Sequence, residues 1–327
     1  MEKNPIGVGL IGVGRHGLRY ARHIVEDLSS ASLRAVCREH PEKGIGLPGT
    51  ESVKVYGDTR SLVADPSVEV VIVVAPPIYS PEICQLAIEA RKPILIEKPL
   101  ATTAGDARMM AKRARQTCVP LMTGQTLRFD STIQALHQRR HLLGRSHHLR
   151  LTSHIETRVT GPNHAEGYGG RGALLEIGIH MLDLVRFATG DEVREVRCRM
   201  NSLPPASPEV IASAQLETHG GTSCTVDIAR VPEGRVGQIE WIGSQGKLQA
   251  DWINRRLLWH HGGEIEELET PPSQTVLAVL NAFIFAVETQ SPMPVTGEDG
   301  YRAVEIAEAC YQSAQAGGAP VGIGELP

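Results

Sequence analysis

The sequence predicts two domains, an α/β domain on a doubly wound parallel sheet and an α+β domain with a large, mostly antiparallel open sheet. Three observations support this prediction. Strand-like apolar runs alternate with helical patterns in the first part of the chain, a glycine-rich turn follows the first run, and glycine-containing turns separate many strand-like runs in the second half. Because 327 residues exceed the size at which one core usually stops growing, we place the domains at residues 1–122 and 123–327.

The first strand and its turn predict a phosphate-binding site. The apolar run Ile6–Ile11 precedes Gly12-Val13-Gly14-Arg15-His16-Gly17 and a helical pattern that reaches about residue 28. In a G-x-G-x-x-G turn, the first glycine allows a tight bend, the second lets a pyrophosphate approach the backbone, and the third lets helix and strand pack closely. An ordinary glycine turn is the alternative, but the alternating pattern around it favours a dinucleotide-binding Rossmann domain.

Further elements extend both patterns. In the first domain we predict strands at 33–37, 53–56, 68–74, 93–96 and 121–124, and helices at 81–90 and 103–117. Thr103 and Asp106 have the spacing of an N-terminal helix cap. In the second domain we predict helices at 131–143, 172–190, 273–289 and 298–316, and strands at 148–157 and within 194–268. Helices on one sheet face leave the other face to form a homodimer or homotetramer interface.

The predicted helix 172–190 carries four ionisable side chains on a mostly apolar surface. Glu176, His180, Asp183 and Arg186 follow one another at steps of four, three and three, so they share one face of an α-helix. Buried ionisable groups are costly unless they are paired or face a polar cavity. We therefore predict an active site at this face, with Arg186 as a candidate partner of Asp183. The alternative is a core histidine on a buried helix.

Composition argues against several classes of function. The chain is 41% hydrophobic and 21% charged with a net charge of −4, and its dispersed basic residues predict neither nucleic-acid nor membrane binding. Its start lacks secretory features and its cysteines lack paired spacing, so we expect a cytoplasmic protein. No carboxylate or cysteine completes a ligand set around five clustered histidines, so we predict no metal site. These histidines are His137, His141, His147, His148 and His154.

Several separated segments form a recognisable set of motifs: GVGLIGVGRHG near the start, EKPLA from Glu97, GQTLRFD from Gly124, GGRGALLEIGIHMLDLVRFATG from Gly169, the IGSQGKL turn, and the closing pattern that includes Gly300. Together these segments resemble the Gfo/Idh/MocA family of NAD(P)-dependent oxidoreductases. The EKP motif joined to G-I-H-x-x-D is the specific part. The resemblance implies hydride transfer between nicotinamide and a secondary alcohol or ketone of a sugar, an inositol or a sugar derivative.

The resemblance also assigns residues. It implies that Lys98 reaches both substrate and nicotinamide, that His180 is the general acid/base, and that Asp183 and Glu176 complete the catalytic set. The expected cofactor-binding residues are Gly12, Val13, Gly14, Arg15, His16, Gly17, Arg38, Ala75, Pro76, Pro77, Glu97, Lys98 and Gln125. The expected substrate-binding residues are Lys98, Arg128, Tyr168, Glu176 and His180, with the loop 158–171 shaping the pocket. An imidazole suits proton transfer near neutral pH, and an ammonium suits a developing oxyanion.

Four departures from the family pattern affect these expectations. One is the segment Ala75–Ser80, APPIYS, which replaces a common pattern with histidine near the Ser80 position. Glu176 stands where the family usually has aspartate, and Arg171 interrupts a glycine triplet, where it either contacts an anionic substrate or lies on the surface. Arg38 stands where an acidic residue normally binds the adenosine ribose. Because arginine suits the extra phosphate of NADP, we favour NADP over NAD, although the adjacent Glu39 is an alternative ribose ligand.

Two other functions remain open at this point. One is an NAD-dependent glycosidase-type enzyme that retains its cofactor, and the other is a non-catalytic, cofactor-sensing regulatory protein of the same fold. Lys98, His180 and Asp183 argue against the regulatory protein, which has no need of them.

Overall fold

The computed structural model describes residues 4–157, 164–205 and 207–324. The chain divides into two compact units, one made of Met1–Thr126 with Gln274–Tyr301 and the other of Leu127–Ser273 with Arg302–Pro327. The first limit lies close to the predicted domain boundary. The segment Gln274–Tyr301 belongs to the N-terminal unit, whereas the sequence-based division assigned it to the second domain.

The N-terminal unit contains the predicted doubly wound parallel sheet. Its strands are β1 (Ile6–Ile11), β2 (Ala31–Cys37), β3 (Lys54–Tyr56), β4 (Val70–Val73), β5 (Ile94–Glu97) and β6 (Leu121–Gly124), in the order β3-β2-β1-β4-β5-β6. Its helices include α1 (Arg15–Glu26), α2 (Thr59–Ala64), α3 (Ser80–Glu89) and α4 (Ala104–Thr117). Every residue of β4 and β5 is buried, as expected for parallel strands covered on both faces.

Local sequence signals explain where these elements begin. The Thr103 hydroxyl accepts a hydrogen bond from the Asp106 N–H at 3.1 Å, so the predicted cap starts α4.

The segment Gln274–Tyr301, from the C-terminal part of the chain, packs closely on the parallel sheet of the N-terminal unit. A Cβ on Gly300 would lie 2.3 Å from Oγ1 of Thr123, and one on Gly297 would lie 2.7 Å from Leu121. These glycines therefore allow the backbone to approach β6.

The C-terminal unit contains the large sheet. Its strands are β7 (Ser146–Glu156), β8 (Val193–Ser202), β9 (Glu209–Thr218), β10 (Ser223–Val231), β11 (Val236–Gly243), β12 (Gly246–Asp251), β13 (Arg256–His261), β14 (Glu264–Leu268) and β15 (Val321–Gly322). The order is β14-β13-β12-β11-β7-β10-β9-β8-β15, and neighbouring strands are antiparallel except for β7 and β10. The prediction of a mostly antiparallel open sheet is therefore confirmed.

Five further α-helices follow along the described parts of the chain. They are α5 (Ser131–Gln138), α6 (His164–Gly167), α7 (Ile179–Thr189), α8 (Thr275–Thr289) and α9 (Gly297–Gln315). Helix α8 packs against α1, and α7 packs against β7 and β10. Within the described parts of the chain, no helix is both long and apolar enough to cross a membrane.

Candidate active site

The glycine turn joins β1 to α1. Gly12 has a φ of +90°, and a Cβ there would lie 2.6 Å from the carbonyl oxygen of Val74. A Cβ on Gly17 would lie 1.9 Å from the carbonyl oxygen of Gly12, whereas one on Gly14 would meet nothing within 4 Å. Gly12 and Gly17 are therefore required by the packing of the turn, and the backbone at Gly14 faces open space.

That open space fits the pyrophosphate of a dinucleotide. Gly14 precedes the first residue of α1, and no side chain caps the helix there. The first N–H groups of a helix lack intrahelical acceptors and attract anions. Val13 is buried beneath the turn, while Arg15 and His16 are exposed on it. These residues would hold the phosphates of NAD or NADP, whose nicotinamide supplies hydride chemistry when bound.

The other predicted cofactor residues follow neighbouring strands of the same sheet. The segment from Ala75 to Pro77 follows β4, and the Ala75 nitrogen would lie 3.0 Å from a Cβ on Gly12. Lys98 follows β5, and the buried Gln125 follows β6. The structure thus places them at the carboxyl ends of parallel strands, the edge at which sheets of this kind bind ligands.

A buried carboxylate joins Lys98 to the glycine-turn helix. Oε1 of Glu97 lies 3.0 Å from Nε2 of His16 and accepts a hydrogen bond from the Tyr20 hydroxyl. Oε2 accepts the backbone N–H of Lys98 at 3.1 Å. Burial alone would raise the pKa of Glu97, but the hydrogen bonds and the charges of His16 and Lys98 outweigh it, so this pKa is lowered. Glu97 therefore remains a carboxylate that anchors the Lys98 backbone.

Arg38 lies at the carboxyl end of β2, as predicted. Its backbone N–H donates to the carbonyl oxygen of Tyr56 at 3.1 Å, and its guanidinium donates to the carbonyl oxygen of Gly44. The half-buried side chain is held against the loop that follows β2. Glu39, the alternative ribose ligand, is exposed beside it.

The predicted helix 172–190 is not a single α-helix. Residues Leu174–Gly178 form a π-helical turn, and α7 begins at Ile179. The prediction of continuous α-helix is therefore wrong over the first turn, because tertiary contacts determine the backbone there. A Cβ on Gly178 would lie 3.1 Å from Ile228 on β10, so the π-turn packs directly on the sheet. Such turns occur frequently at functional sites.

A buried carboxylate from β9 holds the start of this segment. Glu209 accepts the N–H of Gly172 at 2.9 Å and that of Leu174 at 3.0 Å. The Tyr311 hydroxyl donates to the same carboxylate at 2.6 Å, and burial together with the Glu209 charge raises the pKa of Tyr311. The Arg171 guanidinium lies over the Tyr311 ring, 4.7 Å from its centre. Glu209 is therefore a cap supplied from a distant part of the sequence.

Asp183 is bound by Arg128. Nε of Arg128 donates to Oδ2 at 2.7 Å, and Nη2 donates to Oδ1 at 2.6 Å. The Asp183 side chain is 1% exposed and that of Arg128 is 10% exposed, while the guanidinium also lies 5.3 Å from the centre of the Phe187 ring. Arg128, predicted to bind substrate, thus fixes a carboxylate one turn from His180. Its contact with substrate remains a prediction.

Glu176 also has a guanidinium partner. Nη2 of Arg230 forms an ion pair with Oε2 of Glu176, and Nε2 of His164 lies 3.3 Å from the same oxygen. Glu176 is 24% exposed and Arg230 is 13% exposed. The carboxylate predicted to act in catalysis is therefore partly shielded from water and paired with a positive charge.

Arg186, suggested by sequence as the partner of Asp183, pairs with Glu192. The Nε and Nη2 groups of Arg186 donate to this carboxylate at 2.8 and 2.6 Å. The buried Arg302 also contacts Glu192, at 3.2 Å. Arg186 therefore belongs to an ion-pair network with Glu192 and with Arg302 on α9.

The remaining candidates lie near these groups. His180 is half-buried on the first turn of α7, and the half-buried Tyr168 ring lies 5.1 Å from that of His164. Residues 158–163, the first six of the predicted pocket loop 158–171, lie outside the described residues. Of the clustered histidines, His137 stacks on Phe187 with 4.2 Å between ring centres. No group of three or more metal-binding side chains occurs within the described ranges.

Comparison with known proteins identifies the family. A model described as "Oxidoreductase family, NAD-binding Rossmann fold" matches residues 6–125, and one described as "Oxidoreductase family, C-terminal alpha/beta domain" matches residues 163–323. The chain belongs to the Gfo/Idh/MocA oxidoreductase family. The family membership suggested by the sequence motifs is thus confirmed, and the chain is an oxidoreductase with an NAD-binding Rossmann domain.

Individual relatives match over nearly their whole length. This oxidoreductase is 27% identical to myo-inositol 2-dehydrogenase of Thermotoga maritima, covering 94% of this chain and 95% of the relative. It is 24% identical to D-apiose dehydrogenase of Rhizobium rhizogenes, covering 100% of both chains. An oxidoreductase of Agrobacterium radiobacter, solved with NAD+, L-tartaric acid and magnesium, has the same fold, with a TM-score of 0.84, 22% identity and coverage of 97% and 98%.

Four residues that contact the candidate groups of this oxidoreductase were not predicted from the sequence. They are Tyr20 in the N-terminal unit, and Glu209, Arg230 and Tyr311 in the C-terminal unit. The position of Tyr20 one turn after the glycine motif was the one available signal, because that spacing directs a helical side chain along the face of Gly17. The other three come from strands and a helix that are distant in sequence, so periodicity could not indicate them.

Proposed function

We propose that this oxidoreductase moves a hydride between nicotinamide and a secondary alcohol or ketone of an inositol, a sugar or a sugar derivative. The observation that carries the proposal is the carboxylate of Glu97, which anchors the Lys98 backbone beside the glycine turn. Relatives named myo-inositol 2-dehydrogenase and D-apiose dehydrogenase support the substrate class. They favour a dehydrogenase over the glycosidase-type enzyme and the regulatory protein.

In the proposed reaction Lys98 and His180 act at the reacting oxygen. During oxidation His180 accepts the hydroxyl proton as the hydride leaves carbon, and during reduction it returns a proton to the oxygen. The Lys98 ammonium stabilises negative charge on that oxygen. Asp183, held by Arg128, and Glu176, held by Arg230, complete the catalytic set. Arg128, Tyr168 and Glu176 remain the proposed substrate contacts.

We propose NADP as the preferred cofactor. Arg38 at the end of β2 offers a positive charge where an acidic residue would repel the extra phosphate. To bind NADP, the Arg38 guanidinium would exchange its hydrogen bond to the carbonyl oxygen of Gly44 for hydrogen bonds to phosphate oxygens. Titration with both cofactors tests this proposal, and tighter binding of NAD would overturn it.

We also propose a homodimer or homotetramer formed through the outer face of the large sheet. That face combines exposed Ile242 with charged pairs such as Arg150 and Glu240 at 3.2 Å. Subunit interfaces have an apolar core and a polar rim, so Ile242 would lie in the core and the charged pairs at the rim. Sedimentation tests the proposal, and a monomer at micromolar concentration would overturn it.

A substrate screen tests the activity. Sugars and polyols are supplied with NAD or NADP, and nicotinamide absorbance reports turnover. We expect Lys98→Met and His180→Gln to retain cofactor binding while turnover falls by two or more orders of magnitude. The exposed Lys112→Met and His147→Gln serve as matched controls. Full activity in either site variant would refute the assigned roles.

A further inference from the structure

Arg230 is positioned by the packing of the π-turn on β10. Side chains of a strand alternate between the two faces of its sheet, so Arg230 lies on the same face as the buried Ile228. A Cβ on Gly178 would lie 3.1 Å from Ile228, which shows how closely the turn approaches the strand. Two residues further along β10, Arg230 reaches the carboxylate of Glu176.

Glu176, in the π-turn, and His180, on the first turn of α7, lie four residues apart in one continuous helical segment. That spacing is about one helical turn and places side chains on neighbouring positions. A carboxylate beside an imidazole stabilises the imidazolium, whereas a guanidinium paired with that carboxylate opposes this effect. Because Glu176 and Arg230 are 24% and 13% exposed, their charges are screened less than those of a surface pair.

We infer that Arg230 is a positioning residue that controls the protonation equilibrium of His180 through Glu176. The inference rests on the proposed role of His180 as general acid/base. By balancing the Glu176 charge, Arg230 keeps the imidazole from being held as a cation. The neutral form, which accepts the hydroxyl proton during oxidation, is then available at lower pH.

The other charged groups around the helix in this unit also have partners. Glu209 on β9 accepts the N–H groups of Gly172 and Leu174 and the Tyr311 hydroxyl. Asp183 is paired with Arg128 at 2.6 Å and Arg186 with Glu192 at 2.6 Å. His164, from α6, lies against Glu176 and shares its carboxylate with Arg230. On β7 the buried helix-facing positions are uncharged: Leu149, Leu151 and Ser153. The buried helix-facing positions of β10 are also uncharged: Cys224, Val226 and Ile228.

The test measures the titration of His180 directly. Histidine side chains are labelled with ¹³C, and the His180 signal is assigned by its loss in His180→Gln. We expect Arg230→Gln to raise the NMR titration midpoint of His180 by about one pH unit, a tenfold change in its protonation equilibrium, or ~1.4 kcal/mol. Arg230→Lys keeps the charge, so it should move the midpoint less than half as far.

Two further variants separate charge from a change of fold. Arg235 forms an exposed pair with Glu156 at 2.8 Å, so Arg235→Gln is the matched control and should leave the His180 midpoint in place. The double variant Arg230→Gln, Glu176→Gln has no Glu176 carboxylate left without its guanidinium partner. Its His180 titration midpoint should therefore return toward that of the unmodified protein. If Arg230→Gln does not fold, Glu176→Gln alone should lower the midpoint.

The inference is overturned if Arg230→Gln moves the midpoint no further than Arg235→Gln, or if Glu176→Gln leaves it unchanged. The NMR measurement needs no substrate, so it is independent of the proposed activity. Where turnover is found, the acidic limb of the kcat/KM profile for oxidation should move with the midpoint. A shifted midpoint with an unmoved limb would support the effect of Arg230 and refute His180 as the base.

Discussion

Replacing Arg128 with glutamine should destabilise the C-terminal unit strongly. The substitution removes both hydrogen bonds from a carboxylate that is 1% exposed, at 2.6 and 2.7 Å. Water cannot readily solvate Asp183 at that depth, and breaking a buried ion pair from one side costs about 3–5 kcal/mol. For a folding unit of this size, each kcal/mol lowers the melting temperature by roughly 2–4 °C. We therefore expect a decrease of about 6–20 °C.

The matched control is the same substitution at an exposed pair. Arg22 lies on α1 of the N-terminal unit and not on the large sheet; it contacts Glu26 at 3.9 Å and is 61% exposed, so Arg22→Gln should cost about 0–1 kcal/mol. Thermal and urea unfolding, followed by near-ultraviolet circular dichroism, measure both variants. Adding Asp183→Asn to Arg128→Gln removes the uncompensated charge and should recover part of the loss. Equal losses of unfolding free energy in the two single arginine variants would refute the assignment of a buried ion pair to Arg128.

Three further results are expected. Arg38→Gln should weaken NADP binding about 10–100-fold and NAD binding little, because a charged hydrogen bond contributes about 1.5–3 kcal/mol; fluorescence titration measures both, and equal losses would contradict the assignment. Glu209→Gln should leave one helix N–H without an acceptor and cost about 1–3 kcal/mol in urea unfolding; an unchanged midpoint would contradict the cap. Burial would raise the pKa of Glu192, but Arg186 and Arg302 outweigh it and lower this pKa. Its stabilisation is therefore complete above about pH 4.3 and lost as pH falls through the folded value. The stability that Glu192→Gln loses relative to the unmodified protein should therefore become smaller as pH falls below about 4.3. Urea unfolding at several pH values measures this difference, and a difference that becomes larger toward acidic pH would contradict the assignment.

Features encoded over short stretches of sequence were predictable. The glycine turn and the cap at Thr103 each depend on a few consecutive residues whose backbone preferences are strong. The alternation of apolar runs and helices similarly defined the parallel sheet, since buried parallel strands are continuously apolar. The structure confirms this domain with strand and helix limits close to those expected.

Partners separated by long stretches of chain were not predictable. Arg128 and Asp183 are 55 residues apart, and Tyr20 and Glu97 are 77 apart. Helical periodicity predicts which residues share a face but not which residues another element brings to it. For the same reason the pattern suggested Arg186 for Asp183, a neighbour one turn away, whereas the structure directs Arg186 to Glu192.

The π-turn shows how tertiary contacts override a local pattern. Residues 172–190 have an apolar and polar spacing that suits continuous α-helix. Glu209 binds the N–H groups of Gly172 and Leu174, and Gly178 packs against β10. These contacts fix both ends of the first turn, so the backbone between them is set by its distance from the sheet rather than by intrinsic propensity.

The ionisable face of this helix therefore has two physical explanations that sequence could not separate. Buried charges indicate either a polar cavity or partners from other elements. Glu176 and Asp183 have guanidinium partners, Arg230 and Arg128, so their burial is compensated within the C-terminal unit. Both pairs fix groups within about one turn of His180. For the proposed acid/base role of His180 this pairing matters, because an uncompensated carboxylate beside an imidazole favours the protonated form, which cannot accept the hydroxyl proton.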